Sequence, residues 1–95
     1  MITIPRRTKV QIYIDVLRAI KKAGGRLKIT HIVYKANLTH TRVQPYLDFL
    51  LLNGFLEEEK TGKETHYAIT KKGSDFLSEA NKLKDLSDAF GLSFY

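Results

Sequence analysis

Apolar residues recur at helical spacing in four stretches of the chain, and apolar and polar residues alternate around a glycine between the third stretch and the fourth. The first stretch predicts helix 1, about Lys9 to Ala23, with Thr8 as its cap and an apolar stripe wide enough to pack on two sides. The next two stretches predict a short helix, about Lys28 to Ala36, and a longer one, about His40 to Asn53.

The residues that join the two middle helices predict a tight turn. Asn37 tolerates the left-handed conformation that ends a helix, Leu38 is placed to reach the core, and Thr39 is a good cap for the next helix. Pro45 lies near the start of that helix, where a missing backbone N–H is tolerated, and we expect a loose or 3₁₀-like first turn there. Gly54 then ends the helix, since glycine adopts positive φ without strain.

Two short segments, Phe55 to Glu59 and Thr65 to Ile69, flank a glycine-containing turn and predict a β-hairpin. Their alternation predicts that Leu56, Tyr67 and Ile69 face inward. A short helix, a tight turn, a longer helix and a hairpin, in this order, predict a winged helix-turn-helix. The expected fold class is therefore α+β, mostly α, with a three-helix core and a hairpin wing.

The last helical stretch, about Lys71 to Phe90 after the cap residue Thr70, has an apolar stripe of its own. Because the preceding elements already supply a core, we expect this helix to extend outward and pair with the same helix of a second subunit. The alternative is a helix that folds back on its own domain. One structural domain results, with the winged helix-turn-helix over residues 1–70 and the dimerisation helix and tail over residues 71–95. The predicted dimer contacts are Phe76, Leu77, Ala80, Leu83, Leu86, Ser87 and Phe90.

Composition narrows the possible classes of protein. Ninety-five residues, 43% of them hydrophobic and 27% charged, suit one globular domain. The absence of cysteine excludes disulfides, thiolate zinc sites and thiol nucleophiles. The longest apolar run, Phe49 to Leu52, is far shorter than a membrane span, and the N-terminal residues lack the order of a signal peptide. We expect a cytoplasmic protein with no membrane partner, metal or cofactor.

Positive charge is concentrated in the first half of the chain. Residues 1–44 carry ten basic side chains and one acidic one, a charge of +9, whereas residues 45–95 carry six basic and nine acidic ones, a charge of −3. A polyanion is the natural partner of such a surface. Two other interpretations stay open: a basic surface that serves only solubility, and a structural role for Arg18, Lys21 and Lys22 at the negative end of the helix 1 dipole.

The start of helix 3 holds the residues that best suit DNA recognition. In a helix-turn-helix this part of the second helix enters the major groove. Arg42 can grip guanine and Gln44 can grip adenine, each through two hydrogen bonds, although capping or simple solvation explains such residues as well. The glutamates beside the wing turn would repel DNA if they faced it. The predicted DNA-binding residues are Thr39, His40, Thr41, Arg42 and Gln44 of helix 3, Lys60 and Lys63 of the wing, and Arg6, Arg7, Lys9 and Lys35 for the backbone.

Five segments carry a family resemblance: Ile29 to Ala36, Asn37 to Thr39, Tyr46 to Leu50, Gly54 to Leu56 and Tyr67 to Gly73. Together they resemble the small archaeal winged-helix proteins that dimerise through an antiparallel coiled coil and associate with chromatin. The Tyr-x-Ile-Thr-x-x-Gly string in the last segment occurs in many winged-helix regulators. The resemblance implies a nucleoid-associated homodimer that binds double-stranded DNA, with contacts on helix 3 and the wing, and that has no enzymatic activity.

Three further functions are weighed against this one. A sequence-specific transcription regulator would have the same fold and differs from a general DNA coater only in base discrimination. A protein-interaction module that has lost DNA binding is favoured by the acidic wing and opposed by the basic first half. An enzyme is disfavoured, because His31, His40 and His66 stand in no metal, phosphate-loop or nucleophile motif.

Overall fold

Four helices and a three-stranded antiparallel sheet make up the part of the chain that the computed structural model describes, residues 7–91. The sequence predicts a DNA contact for Arg6 and an interface contact for the tail residues 92–95. These residues lie outside the described range. The predicted fold class is confirmed. In chain order the elements are α1 (Lys9–Lys22), β1 (Arg26–Lys28), α2 (Ile29–Lys35), α3 (His40–Leu52), β2 (Leu56–Thr61), β3 (Glu64–Ile69) and α4 (Lys71–Phe90).

Threonine caps begin three of the helices. In each case the threonine hydroxyl accepts a hydrogen bond from a backbone N–H three residues further on, which satisfies one of the free donors of the first helical turn. The predicted starts of α1, α3 and α4 are therefore confirmed. The three donor and acceptor pairs are Gln11 to Thr8, Arg42 to Thr39 and Gly73 to Thr70.

The sheet contains a strand that the sequence pattern does not reveal. β1 pairs antiparallel with β3, which also pairs with β2, so the strand order is β1-β3-β2. Leu27 lies opposite Tyr67, and both are buried. The prediction that Lys28 begins a helix is wrong by one residue, because its backbone completes this strand and α2 starts at Ile29. Three residues are too few to show a strand period.

α1 is the centre of the core, as its wide apolar stripe predicts. It contacts α2 and α3, and it also contacts α4 and the sheet. Ile12, Leu17 and Ile20 are at most 2% exposed, and they belong to one cluster with side chains from every other element. Leu56 and Tyr67 enter this cluster from the hairpin and Ile69 packs against it, so the predicted inward face of the wing is confirmed.

The first half of α4 packs on its own domain. Leu77 and Ala80 are buried in the common core, and Gly73 lies so close to the Phe55 carbonyl that a side chain there would collide with it. Polar contacts fix this packing, since Arg18 Nη2 donates to Asn81 Oδ1 at 3.2 Å and Lys21 Nζ to Ser74 Oγ at 2.8 Å. The predicted stripe therefore divides, and this half follows the alternative in which the helix folds back.

The second half of α4 presents apolar side chains to solvent. Leu83, Leu86 and Phe90 are 37%, 48% and 70% exposed and lie on one helical face, whereas Ser87, on the neighbouring face, is buried. At about 1.5 Å per residue the helix is about 30 Å long, and the molecule is correspondingly elongated, 47 × 33 × 22 Å. Of the predicted dimer residues, these three are exposed, Phe76 is half-buried, and Leu77, Ala80 and Ser87 are buried.

Candidate nucleic-acid interface

The turn between α2 and α3 fixes where α3 begins. Asn37 adopts the left-handed conformation with φ of 56°, as its side chain predicts. Leu38 is buried, and its backbone N–H donates to the Val33 carbonyl at 2.9 Å. The turn is thus anchored on the core side, which leaves the start of α3 on the outside.

Arg7 clamps this turn to α1. Its guanidinium donates to the Ala36 carbonyl at 2.7 Å and the Asn37 carbonyl at 2.8 Å, and it pairs with Asp15 at 2.9 Å. These two carbonyls follow the last turn of α2, where backbone acceptors otherwise lack partners. The Arg7 guanidinium already donates to three acceptors within the domain, so its role is structural. It is therefore a poor candidate for the phosphate contact that the sequence suggests.

α3 divides into a buried face and an exposed face at its first turns. Val43, Leu47 and Leu50 are at most 1% exposed. Pro45 is exposed, and the helix is regular α from its first residue, so the expectation of a 3₁₀-like first turn is wrong. The carbonyl that Pro45 leaves without a helical partner belongs to Thr41, which water can reach. The exposed residues of this segment are Thr39, His40, Thr41, Arg42 and Gln44, together with Asp48.

The side chains on this exposed face differ in whether they have hydrogen-bond or ion-pair partners among the described residues. Gln44 Nε2 donates to Asp48 Oδ1 at 2.8 Å, an exposed bond that water or a base can replace. The Arg42 guanidinium has no hydrogen bond or ion pair with any residue in 7–91. Lys9, at the start of α1, lines the same surface cavity as Thr41 and Arg42 and is likewise without an ion-pair partner among the described residues. The structure therefore brings these predicted cations together.

A second basic groove lies between α1 and the end of α2. Its cavity measures about 460 Å³. Lys35, a predicted backbone contact, lines it with Arg18 and Lys22, and Asp15 supplies a negative charge in their midst. Asp15 pairs with Arg7 and lies 3.8 Å from Arg18, so its one negative charge is shared by two arginines and the groove stays positive.

The sheet differs from the start of α3 in that glutamates of the hairpin pair with the cations of its edge strand β1. Arg26 Nε lies 3.0 Å from Glu59 Oε1, and Lys28 Nζ donates to Glu64 at 2.7 Å. The hydrogen bond and the charge of Lys28 hold the pKa of Glu64 below its ordinary value. Lys63 lies in the turn beside Gly62, whose φ is 63°.

The hairpin itself carries exposed side chains of both charges. Lys60 is exposed in β2 opposite Thr65. Glu57 and Glu58 are exposed as well. The structure does not gather the two predicted wing lysines into either of the basic cavities.

Two surface features escape the sequence analysis. Tyr34 on α2 is 85% exposed, on the side of the helix away from the buried Ile32. Beside Arg42, the rings of Tyr13 and Phe49 stack with centroids 4.4 Å apart, and Tyr46 meets Tyr13 edge-on at 5.5 Å. Sequence spacing does not show that α1 and α3 meet at these rings. The apolar face of α1 is the one sequence signal that points to such a contact.

Other kinds of site find no support in the described residues. Between residues 7 and 91 there is no group of three or more histidine and carboxylate side chains that could hold a metal ion. Within the same range, no helix combines the length and the apolar character that crossing a membrane requires.

A helix-turn-helix with a polar, exposed second helix, followed by a β-hairpin, defines the class of winged-helix proteins. The model of the family described as winged helix-turn-helix matches residues 6–88, and the chain belongs to this family.

Known relatives agree with this assignment and come largely from archaea. An uncharacterised protein of Methanocaldococcus jannaschii is 29% identical over 84 residues, which cover 88% of this chain and 80% of the relative. Sso10a-2, a DNA-binding protein from Sulfolobus solfataricus, superposes with a TM-score of 0.70 at 27% identity over 90% of both chains. F93 from STIV, a winged-helix DNA-binding protein, gives a TM-score of 0.67 at 20% identity and covers 82% of this chain and 90% of its own.

Proposed function

We propose that this chain binds double-stranded DNA through the exposed start of α3 and acts as a transcription regulator or chromatin-associated protein rather than as an enzyme. The observation that carries the proposal is the Arg42 guanidinium, which has no partner among residues 7–91 and lies with Lys9 at the exposed start of a helix that the core holds in place. The winged-helix family and the DNA-binding Sso10a-2 support the same function. On this proposal the protein works at the nucleoid in the cytoplasm.

In the proposed complex α3 lies in a major groove with its first turns at the base edges. Arg42 binds guanine O6 and N7, and Gln44 exchanges its bond to Asp48 for adenine N6 and N7. The remaining contacts go to the phosphate backbone, which sets register and affinity rather than sequence preference. They are assigned to Thr39, His40, Thr41, Lys9 and Lys35, with smaller contributions from Lys60 and Lys63.

The proposed assembly is a homodimer joined through the second half of α4. Leu83, Leu86 and Phe90 form an exposed apolar face on a helix whose first half is already fixed to its own domain. Exposed apolar residues that line up on one face favour an interface. A two-fold axis through this face would place two winged-helix heads on one duplex, which doubles the phosphate contacts.

Fluorescence anisotropy of a labelled mixed-sequence duplex, titrated with the protein at several salt concentrations, tests the DNA proposal. We expect binding that weakens steeply with salt, because phosphate contacts release counterions. Arg42→Ala should weaken binding at least about tenfold, the lower range for losing a two-point base contact. Arg26→Ala is the matched control, since that arginine is paired with Glu59 on the sheet. Equal losses in both variants would contradict the assigned surface.

Competition by unlabelled DNA separates the two modes of binding. Equal competition by unrelated duplexes indicates a chromatin-type protein, whereas preference for a selected duplex indicates a regulator. If a selected library yields no bound duplex even at low salt, the DNA proposal fails and the interaction module remains, with the exposed α4 face as its binding surface.

Sedimentation equilibrium tests the homodimer. Leu86→Lys places a charge in the middle of the proposed interface and should convert the dimer to a monomer without unfolding it. Leu52→Lys is the matched control, because Leu52 is 87% exposed on α3, outside the α4 face. A wild-type protein that sediments as a monomer at high concentration, or a Leu86→Lys variant that stays dimeric, would remove this interface from the proposal.

A further inference from the structure

A groove between the start of α1 and the outer side of α3 combines aromatic walls with a cationic end. Its cavity of about 510 Å³ is in the range of sites that hold small organic molecules. The stacked rings of Tyr13 and Phe49, with Tyr46 edge-on, form the walls. Phe49 remains 41% exposed, so part of a large apolar ring faces solvent along the groove.

The aromatic pair also borders a second, smaller cavity. This space of about 200 Å³ is lined entirely by apolar side chains, and Tyr13 and Phe49 contribute to both cavities. Phe55 and Phe76 close its far side with ring centroids 5.3 Å apart. The aromatic pair therefore borders two cavities, one with a polar, cationic rim and one that is entirely apolar.

The mouth of the groove selects for negative charge. Lys9 and Arg42 both line it, no acidic side chain lines it, and neither cation has an ion-pair partner in residues 7–91. Thr41 and Arg42 belong to the first turn of α3, where the helix dipole adds positive partial charge. Since a planar carboxylate matches a guanidinium through two hydrogen bonds, Arg42 is the natural partner for such a group.

We propose that this groove binds a small aromatic carboxylate and that the bound molecule competes with DNA for Arg42. Its ring lies against Tyr13 and Phe49, and its carboxylate accepts hydrogen bonds from Lys9 and Arg42. The effect on DNA rests on the proposed function, whereas ligand binding itself does not. Arg42 would then contact DNA in one state of the protein and an anionic aromatic compound in the other.

Nuclear magnetic resonance on the ¹⁵N-labelled full chain, titrated with 2-naphthoate, tests the site without DNA. We expect saturable shifts in the amides around Lys9, Tyr13 and Phe49. The uncharged 2-naphthalenemethanol should bind at least about tenfold more weakly, the loss expected when one charge-assisted contact is removed. No saturable shift, or equal binding of the alcohol, overturns the proposal.

Substitutions locate the ligand within the groove. Lys9→Gln and Phe49→Ala should each weaken 2-naphthoate binding at least about fivefold, because they remove a carboxylate partner and a stacking wall. Their controls are Lys22→Gln and Leu52→Ala, which change exposed residues that do not line the groove. If Phe49→Ala instead lowers the sedimented mass, the groove is an interface between copies and the proposal is overturned.

DNA anisotropy with saturating 2-naphthoate tests the competition. We expect the apparent Kd for DNA to rise severalfold with 2-naphthoate and to stay constant with the alcohol. Ligand binding that leaves the DNA Kd unchanged overturns the competition. A protein that binds 2-naphthoate but no DNA contradicts the proposed function and supports the ligand site, so the two failures are distinguishable.

Discussion

The start of α3 and the wing both carry basic side chains, and they differ in what those side chains contact. Around α3, Arg42 and Lys9 have no carboxylate partner among the described residues. On the sheet, Arg26 and Lys28 each lie within 3.0 Å of a glutamate oxygen. A cation that already faces a carboxylate gains less from a phosphate, because the field at its position is partly cancelled. On the proposed function, the availability of charge, rather than its amount, therefore favours α3 over the wing as the DNA surface.

The same comparison separates two kinds of arginine. Arg7 is half-buried and holds the turn before α3 through two backbone carbonyls and Asp15. Arg26 is 55% exposed and makes one ion pair at the sheet edge. The α3 region thus uses one arginine to hold the turn and leaves Arg42 unpaired within residues 7–91. The sheet pairs Arg26 and Lys28 with glutamates, whereas Lys60 on the hairpin has no ion-pair partner in the same range.

The largest expected effect is the loss of the Arg7 clamp. Arg7→Met should lower the free energy of unfolding by about 1–3 kcal/mol, because it leaves the partly buried Ala36 carbonyl without this donor and removes the ion pair with Asp15. Arg26→Met, in the wing sheet, should cost less than about 1 kcal/mol, as exposed ion pairs do. Urea unfolding followed by circular dichroism measures both. Equal losses of unfolding free energy in the two variants would show that Arg7 and Arg26 contribute equally to stability, contrary to the comparison.

The salt dependence of DNA binding is the next effect in size. Lys9→Gln should reduce the slope of log K against log salt by about one, whereas Lys63→Gln at the wing turn should change it far less. Anisotropy titrations at four or more salt concentrations give these slopes. A larger change for Lys63→Gln would assign the phosphate contacts to the wing and reverse the comparison.

Local sequence signals predict most of the fold. Threonine caps and the Asn37 turn each act within a few residues, so they place helix ends to within one or two positions. β1 escapes prediction because its pairing partner lies about 40 residues away and three residues show no period. The sequence shows the apolar stripe of α4, but its periodicity does not indicate which of these positions pack against the rest of the same chain.

The site is less predictable than the fold, because its properties depend on distant partners. Sequence spacing correctly places the polar residues of α3 on its exposed side. It does not show that Arg7 bonds carbonyls 29 and 30 positions away, or that Lys28 meets Glu64. It also misses the contact of Tyr13 with Phe49, which belong to different helices. Which cations remain free is therefore a property of the tertiary structure.

The smallest expected effect is the pH dependence of the wing ion pair. Lys28 holds the pKa of Glu64 below its ordinary 4.5, chiefly through a hydrogen bond to the carboxylate. A carboxyl whose folded pKa is lowered contributes stability above its unfolded pKa and loses that contribution as pH falls through the folded pKa. Lys28→Gln should therefore return the Glu64 pKa toward 4.5 and leave this pair's contribution absent at every pH.

Carbon-detected nuclear magnetic resonance of the Glu64 side chain measures this pKa in the unmodified protein and in the Lys28→Gln variant. Lys60→Gln is the matched control, since Lys60 has no ion-pair partner among residues 7–91 and should leave the Glu64 pKa unchanged. Because Glu64 is exposed, salt should weaken the shift. An ordinary Glu64 pKa in the unmodified protein would mean that Lys28 is free to meet phosphate. The wing would then compete with α3 as the DNA surface on equal terms.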